Sequence, residues 1–264
     1  MGKTIGILSL KGGVGKTSTV VALGGAFAKL GKKVLLIDGN LSAPNLGIHL
    51  NLINPKHTLQ EVLKDKKHAK DAIQNLGEID ILPASIFGRE KVNPLKLKDR
   101  IKLLKKKYDI ILIDSSPSLN EETLAVMLAS DSLLIVTTPD LPTLSTTIKA
   151  AKLAKNRGDP IIGLIINKAH NKSFELTPKE IEDTAEIPVM AIIPHDLNIL
   201  KSLSQFKPST LYKPRTKASK EYKKLASTII GEKYHPLRFN KILRWINPSR
   251  QDINRTIYYE QMFG

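Results

Sequence analysis

Short apolar runs alternate with longer segments of helical pattern along most of the chain. The runs read TIGILSL (4–10), KVLLID (33–38), IDILPA (79–84), YDIILID (108–114), SLLIVTT (132–138), PIIGLIIN (160–167) and PVMAIIP (188–194). Uninterrupted apolar strands are typical of a parallel sheet that helices cover on both faces. The segments between the runs would be helical crossovers. The pattern therefore predicts an α/β fold with a doubly wound, mainly parallel sheet.

This alternation stops after Gly231, and the rest of the chain has a composition of its own. The final segment reads EKYHPLRFNKILRWINPSRQDINRTIYYEQMFG and contains the only tryptophan, Trp245. A length of 264 residues suits one sizeable α/β domain with an appendage. We therefore expect a domain over residues 1–231 and a C-terminal helical tail over residues 232–264.

A glycine-rich loop, KGGVGKTS (11–18), lies between the first apolar run and the helical pattern TVVALGGAFAKL. Its three glycines, Gly12, Gly13 and Gly15, permit positive φ angles, so successive N–H groups can point at phosphate oxygens. The start of the following helix adds positive potential. Lys16 would reach the β and γ phosphates, and the Thr17 hydroxyl would bind Mg²⁺. The strand–loop–helix context indicates a phosphate-binding P-loop.

The second lysine of this loop, Lys11, has no role in an ordinary P-loop, and Leu10 stands where the strict motif has glycine. The form x-K-G-G-x-G-K-[ST] resembles the deviant Walker A loop of the MinD/ParA family of P-loop ATPases. The resemblance implies ATP as the nucleotide and an ATP-dependent homodimer. It also implies that Lys11 reaches the nucleotide of the partner subunit, as an arginine finger does.

Further segments up to residue 231 resemble the same family. LLIDGNLSAPNLGIHL (35–50) is similar to its first switch, IILIDSSP (110–117) to its Walker B strand, and IPHDLNILKSL with KASKEYKKLA to its closing elements. The resemblance implies a Mg²⁺ site at Thr17, Asp38 and Asp114. Asn167 matches the asparagine that contacts adenine, although it could also be a turn residue at a strand end. The implied nucleotide contacts are Lys11, Gly12, Gly13, Val14, Gly15, Lys16, Thr17, Ser18 and Asn167.

The first switch departs from the family at Asn40, because the family usually has a second acidic residue there. An asparagine can orient water through its carbonyl oxygen, but it cannot take up a proton near neutral pH. We therefore predict slow hydrolysis by Lys11, Lys16, Asp38 and Asn40, with Asp38 holding the attacking water. Thr146 also replaces a frequent aspartate. Both changes favour a long-lived ATP-bound dimer that needs an activating protein.

The composition narrows the choice of partner. The chain has 41 basic and 25 acidic residues, which gives a net charge of +16. Such a charge indicates an anionic partner, either nucleic acid or lipid. Alternatively, the lysine-rich surface is only solvated by water. The absence of cysteine excludes the iron–sulfur branch of the family, which holds clusters on cysteines. No apolar run reaches the roughly 18 residues of a spanning helix. We expect a cytoplasmic protein with peripheral membrane association.

The tail contains a short basic amphipathic helix pattern. Phe239, Ile242, Leu243, Trp245 and Ile246 share one side, and Asn240, Lys241 and Arg244 share the other. Such a helix suits an anchor on an anionic membrane. One helix would bind weakly, but a dimer would present two helices to the same membrane and bind it with higher avidity. It could instead dock on another protein or on its own domain. Tyr258, Tyr259 and Phe263 further along could form a second apolar contact or a partner motif.

We rank a MinD-like membrane switch for spatial positioning first. The alternative is a ParA-like partition ATPase whose lysines contact DNA phosphates without reading sequence, and a third possibility is a nucleotide-dependent scaffold that barely hydrolyses ATP. The chain has no H-E-x-x-H pair and no G-x-S-x-G turn, so a zinc protease or a serine hydrolase of that type is not expected. The DNA alternative depends on Lys149, Lys152, Lys155, Arg157 and the basic residues between Lys201 and Lys224.

Overall fold

The computed structural model describes residues 2–88, 91–232 and 248–264, and its centre is a single eight-stranded sheet. The strands are β1 (Lys3–Leu8), β2 (Val34–Asp38), β3 (Gln74–Asn75), β4 (Asp80–Leu82), β5 (Ile110–Asp114), β6 (Ser132–Thr137), β7 (Ile161–Ala169) and β8 (Val189–Pro194). Their order is β3-β4-β2-β5-β1-β6-β7-β8, and within the described chain the short β3–β4 pair alone is antiparallel. Each of the seven apolar runs coincides with most of a strand, which confirms the predicted mainly parallel sheet.

The helices are α1 (Lys16–Lys29), α2 (Leu46–His49), α3 (Leu59–Leu63), α4 (Leu97–Ile101), α5 (Glu121–Ala129), α6 (Leu141–Arg157), α7 (Pro178–Ala185), α8 (Leu197–Ser204), α9 (Ser209–Tyr212), α10 (Lys217–Ile229) and α11 (Arg250–Phe263). They form two apolar cores with the sheet. One core holds Phe27 of α1 and Tyr222 of α10, and the other holds Leu59 of α3 and Ile181 of α7. The doubly wound P-loop fold is therefore confirmed.

Side chains that cap the helices fix where the crossover helices begin. Two of these capping residues lie in the loops that follow β5 and β6. Asn120 accepts a hydrogen bond from the Thr123 N–H at the start of α5, and Asp140 accepts one from the Thr143 N–H at the start of α6. Such caps satisfy backbone donors that the first turn of a helix leaves free. They place both helix starts at the carboxyl edge of the sheet.

The parallel register brings the ends of neighbouring strands together. β1 lies between β5 and β6, and Asp38 at the end of β2 is the register partner of Asp114 at the end of β5. Loops that follow strands of a doubly wound sheet line a crevice at the carboxyl edge, where ligands bind. The fold thus collects the phosphate loop, both acidic residues and Asn167 at one edge.

The C-terminal helix α11 covers the edge strand β8. Asn254 Nδ2 donates to the Val189 carbonyl at 2.9 Å, and Arg255 Nη1 donates to the Met190 carbonyl at 3.1 Å. The Val189 N–H donates to Glu182 of α7 at 2.9 Å. Side chains therefore satisfy backbone groups that an edge strand would leave free.

A buried ionic network also holds α11 in place. Arg255 bonds Glu221 of α10 at 2.7 Å and Asp252 at 2.6 Å, and Lys224 lies 3.3 Å from Glu221. Arg255 is 5% exposed and Glu221 is 8% exposed. Pairing is what makes such burial of charge tolerable. The end of the chain is thus fastened to the domain by polar contacts.

The aromatic residues of the last segment contact the same protein. Lys3 Nζ donates to the Tyr258 hydroxyl at 3.1 Å, and Phe263 lies against Gly231 and beside the Tyr259 ring. The predicted amphipathic helix over residues 239–246 lies outside the described residues. Across the described ranges 2–88, 91–232 and 248–264, we find no helix with the length and hydropathy needed to span a bilayer.

Candidate active site

The phosphate loop connects β1 to α1 and has the backbone that its glycines predict. Gly13 has a φ angle of +78° and Gly15 one of +94°, in the left-handed region that favours glycine. A side chain at position 15 would also collide with Asn167, so glycine is required there on two grounds. Lys16, the first residue of α1, is buried at the base of the loop.

A cavity of about 460 Å³ lies beside the loop at the carboxyl edge of the sheet. This volume lies in the usual range for small-molecule sites. Its walls come from the loops that follow β1, β2, β5, β7 and β8, and from α8 and α10. The lining includes Gly12, Gly13, Gly15, Lys16, Thr17, Ser18, Asn40, Ser115, Pro117, Asn167, Lys168, Pro194, His195, Ile199, Leu200 and Tyr222. The phosphate loop and an apolar wall thus face one space.

Behind this lining, Asp38 and Asp114 lie side by side and buried. Burial raises the pKa of Asp114 to about 6, and burial together with the Asp114 charge raises the pKa of Asp38 well above its ordinary range. The Asp38 carboxylate accepts hydrogen bonds from the Leu46 N–H at 3.0 Å and the Asn40 N–H at 3.3 Å. Two carboxyl groups at close quarters raise each other's pKa unless a cation neutralises them.

The residues present fit a magnesium ion. Thr17 Oγ1 donates to Asp114 Oδ2 at 2.5 Å, while Asp114 Oδ1 is buried and has no hydrogen-bond partner among the described residues. Hydroxyl and carboxylate oxygens are the hard ligands that Mg²⁺ prefers, and phosphate oxygens and water usually complete its shell. Thr17 and Asp114 would hold the ion, with Asp38 next to them. The ion would neutralise charge on the phosphates.

Asn40 lines the cavity together with Ala43, Asn45 and His49 of the first switch, whereas Asp38 is fully buried and does not. Asn40 Nδ2 donates to the Ala43 carbonyl at 2.6 Å, and its Oδ1 is buried without a hydrogen-bond partner in the described chain. A buried acceptor without a partner is costly unless a water or ligand satisfies it. The role of Asp38 as holder of the attacking water stays a prediction, and Asn40 Oδ1 is the unpaired oxygen of this switch.

Lys11 does not line this cavity beside the phosphate loop. Its Nζ donates to Asp140 at 3.2 Å and to Thr143 at 2.7 Å, on the outer side of the phosphate loop. It lines a separate cavity of about 370 Å³ together with Thr138, Pro139, His170 and Phe174. Asp140 and Thr143 were not predicted from the sequence, although the run SLLIVTTPD marks Asp140 as a residue after a buried strand.

The end of β7 contributes two consecutive residues to the loop. Asn167 is buried and its Nδ2 donates to the Val14 carbonyl at 2.7 Å, while no hydrogen bond in the described chain engages its Oδ1. Asn167 thus lies in the cavity wall, and its Oδ1 could accept a hydrogen bond from the predicted adenine base. Lys168 contacts the loop as well, and the His195 ring stacks on His170 at 4.6 Å. Lys168 and His195 were not predicted, because only the folded chain brings them to the loop.

Two further predicted groups lie elsewhere. Thr146 lies on α6, where its hydroxyl donates to the Thr143 carbonyl at 2.8 Å, so it is one turn from the Lys11 partner. The tail residues predicted to contact a membrane or partner lie outside the described residues. They are Phe239, Lys241, Ile242, Leu243, Arg244, Trp245 and Ile246.

The buried acidic pair predicts how stability depends on pH in the absence of nucleotide and magnesium. Asp114 keeps its proton in the folded protein up to a pKa of about 6, whereas an unfolded aspartate loses it at about 4. The folded state then binds more protons than the unfolded state, so its stability falls as the pH rises through this window, by about 3 kcal/mol from this residue in all and by about 2 kcal/mol between about pH 4.5 and about pH 7. Urea unfolding at about pH 4.5 and about pH 7 measures the effect.

The Asp38→Asn variant is the control for that measurement, because it removes the second buried carboxyl group, whose raised pKa adds to the same loss of stability. We expect the variant to lose less free energy of unfolding than the parent over the same pH interval. Equal losses in both proteins would show that the pair does not titrate as a buried unit.

A protein-family model described as AAA domain matches residues 2–157, more than half of the chain. The septum site-determining protein MinD of Thermotoga maritima is 35% identical, over 88% of this chain and 89% of that protein. Residues 2–157 include the phosphate loop, Asp38, Asp114 and Asp140.

Solved structures agree with the sequence matches. The cell division ATPase MinD of Pyrococcus furiosus superimposes with a TM-score of 0.82 at 35% identity, covering 87% of this chain and 99% of that one. MinD of Pyrococcus horikoshii, solved with Mg-ADP, gives a TM-score of 0.81 at 34% identity, covering 87% and 96%. The chain belongs to the AAA-domain family matched by its first 157 residues and, within the P-loop proteins, to the MinD/ParA family of ATPases.

Proposed function

We propose that the protein is an Mg-ATP-dependent ATPase switch of MinD type that dimerises around ATP and attaches to a membrane in its dimeric form. Within one subunit, the N–H groups of the phosphate loop and Lys16 bind the phosphates, and Thr17 with Asp114 binds the ion. Asn40 faces the space where water would attack. These roles rest on the shared cavity wall and on the family to which the chain belongs.

The position of Lys11 is the main observation that supports the proposed dimer. Its ammonium group is held by Asp140 and Thr143 on the outer side of the phosphate loop, away from the cavity of its own subunit. A cation there reaches phosphate most directly in a neighbouring subunit. The ion pair between Lys11 and Asp140 is half-exposed, and exposed ion pairs contribute little free energy. Lys11 can therefore leave Asp140 for a phosphate group at a small cost in free energy.

Exposed apolar side chains at the carboxyl edge of the sheet support a second copy of this chain as the partner. Leu119, Leu141 and Phe174 follow β5, β6 and β7 at the carboxyl edge of the sheet, and they are 63%, 68% and 81% exposed. Large apolar groups that share one edge are typical of a surface that another protein covers. The same edge carries the cavity, so closing it in a dimer would exclude water from the nucleotide.

The Lys11→Ala variant tests the dimer directly. With a slowly hydrolysed ATP analogue and Mg²⁺, light scattering after size-exclusion chromatography is expected to give a dimer mass for the parent and a monomer mass for the variant. Nucleotide affinity of the monomer should be unchanged, because Lys11 does not line its own cavity. The Lys172→Ala variant, which removes an exposed lysine from the loop after β7, is the control and should dimerise normally.

Either of two results would contradict the proposed dimer. A dimer of unchanged mass in Lys11→Ala would show that Lys11 does not act across the interface. A loss of monomer affinity in the same variant would show that Lys11 serves the nucleotide of its own subunit.

Hydrolysis is expected to be slow because Asn40 cannot accept a proton. Replacing it in the Asn40→Asp variant restores a carboxylate to the cavity wall, and we expect single-turnover hydrolysis to accelerate by at least about tenfold. Asn45→Asp, which places the same charge at another residue of the lining, is the control. A variant no faster than the parent would show that Asn40 does not limit the chemical step.

Membrane attachment is best tested with point variants in the tail. A chain that ends at Gly231 also loses α11 and leaves Glu221 without Arg255, so its behaviour would mix stability with binding. Trp245→Glu and its control Asn240→Glu add the same charge, but only the first removes an apolar residue. We expect ATP-dependent sedimentation of the parent and of Asn240→Glu with phosphatidylglycerol vesicles, and none of Trp245→Glu.

Binding of DNA in the manner of ParA is the second candidate, and a cluster of exposed cations favours it. Lys155 and Arg157 of the predicted DNA-binding side are paired with Glu186 and Asp159. In the described chain, however, five exposed cations near α9 and α10 form no ion pair: Lys207, Lys213, Arg215, Lys217 and Lys220. Salt-sensitive binding of duplex DNA, lost in Lys213→Glu/Lys217→Glu and coupled with no vesicle binding, would favour this function.

A further inference from the structure

Two consecutive side chains at the end of β7 hold two consecutive carbonyl groups of the phosphate loop. Asn167 Nδ2 donates to the Val14 carbonyl at 2.7 Å, and Lys168 Nζ donates to the Gly13 carbonyl at 2.7 Å. Both carbonyls belong to the stretch that must turn its N–H groups toward phosphate. The end of β7 therefore binds the phosphate loop through two adjacent hydrogen bonds.

Successive side chains of a regular strand point to opposite faces of the sheet, so this double contact needs a special backbone. Lys168 has a φ angle of +57°, in the left-handed region that non-glycine residues seldom adopt. The pairing of β7 with β8 changes register at the same place, between Ile166 and Ala169. The deviation brings residue 168 to the same loop as residue 167, and such strain is typically kept at functional sites.

Lys168 gains little else from this conformation. Its side chain is exposed, and in the described part of the chain it makes no ion pair with a carboxylate. An exposed lysine without such a partner usually stays in water, where its charge is best solvated. Here it crosses the rim between the nucleotide cavity and the Lys11 cavity, and it lines both.

We propose that Lys168 is a positioning residue of the phosphate loop, which holds the Gly13 carbonyl outward and so keeps the N–H groups of the loop facing the phosphates. A loop fixed in its binding conformation loses less conformational freedom when the nucleotide arrives, so its affinity is higher. This inference rests on the proposed nucleotide site. It assigns Lys168 no contact with the reacting γ phosphate.

The Lys168→Gly variant separates this role from simple support of the fold. Glycine adopts the left-handed conformation without strain, so the midpoint of thermal unfolding without nucleotide should not fall. Affinity for both Mg-ATP and Mg-ADP, measured by calorimetry, should weaken by about tenfold, as expected for one lost charge-assisted hydrogen bond at a partly exposed position. Lys168→Arg keeps a donor and should keep most of the affinity.

Asn171→Gly is the matched control, because Asn171 has a φ angle of +55° in the same loop and no side-chain hydrogen bond to the phosphate loop. It should leave nucleotide affinity unchanged. Unchanged affinity in Lys168→Gly would overturn the inference, and so would a loss confined to Mg-ATP, which would indicate direct contact with the γ phosphate. A parent protein that binds neither nucleotide would instead overturn the proposed function.

Discussion

Replacing Lys16 with methionine is expected to weaken Mg-ATP binding by at least about a hundredfold, which corresponds to about 3 kcal/mol. Lys16 is buried at the base of the phosphate loop, where it would donate to phosphate oxygens shielded from water. Hydrogen bonds between charged groups contribute about 1.5–3 kcal/mol each. Methionine has a similar length and leaves no hole. Calorimetric titration with Mg-ATP measures the difference.

The Lys16→Met variant should still fold. Burial lowers the pKa of Lys16, which shows that the free protein holds this ammonium group at a cost. An apolar side chain of similar size removes that cost. Lys29→Met, at the exposed last turn of the same helix, is the control and should bind Mg-ATP as the parent does. If both variants bound equally well, Lys16 would not contact phosphate.

The Arg255→Ala variant is expected to lose about 3 kcal/mol of unfolding free energy, near the lower limit for breaking a buried ion pair. The guanidinium group joins Glu221, Asp252 and the Met190 carbonyl, so its removal leaves Glu221 buried with Lys224 as the remaining charge partner. Because Lys224 still compensates Glu221, the loss should not reach the upper limit. Urea unfolding of the full chain measures it.

Arg250→Ala is the control for this measurement. Arg250 lies on the same helix and pairs with Glu182 and Asp183, but its side chain is 38% exposed, so water screens its charge more than that of Arg255. Its loss should be much smaller than that of Arg255. Equal losses would mean that the buried network does not hold α11 against the domain.

Local signals made the phosphate loop and the sheet predictable. The glycine spacing, the lysine and the strand–loop–helix context all lie within one short stretch of chain, and parallel strands leave continuous apolar runs. The register pairing of Asp38 with Asp114 followed from the fold, because ends of parallel strands meet at one edge. The two-residue strand β3 was too short to leave a pattern.

Long-range contacts explain what the sequence did not predict. The partner of Lys11 is Asp140, which is 129 positions away, and Lys168 meets Gly13 across 155 positions. Neither pairing leaves a local signal. Helix α11 reverses the usual pattern, since Asn254 and Arg255 are buried while Ile253 and Ile257 are about half exposed. Hydrophobic periodicity cannot predict a helix that docks through polar bonds to an edge strand.

The closure of β8 by side chains has a consequence for how copies of this protein meet at high concentration. An open edge strand is a template on which another chain can add a strand, and such growth has no natural limit. Asn254, Arg255 and Glu182 occupy the backbone groups that an incoming strand would need. Addition of another strand at this edge is therefore blocked. Loss of α11 would free the Val189 and Met190 carbonyl groups, and the exposed edge would become a site where copies aggregate.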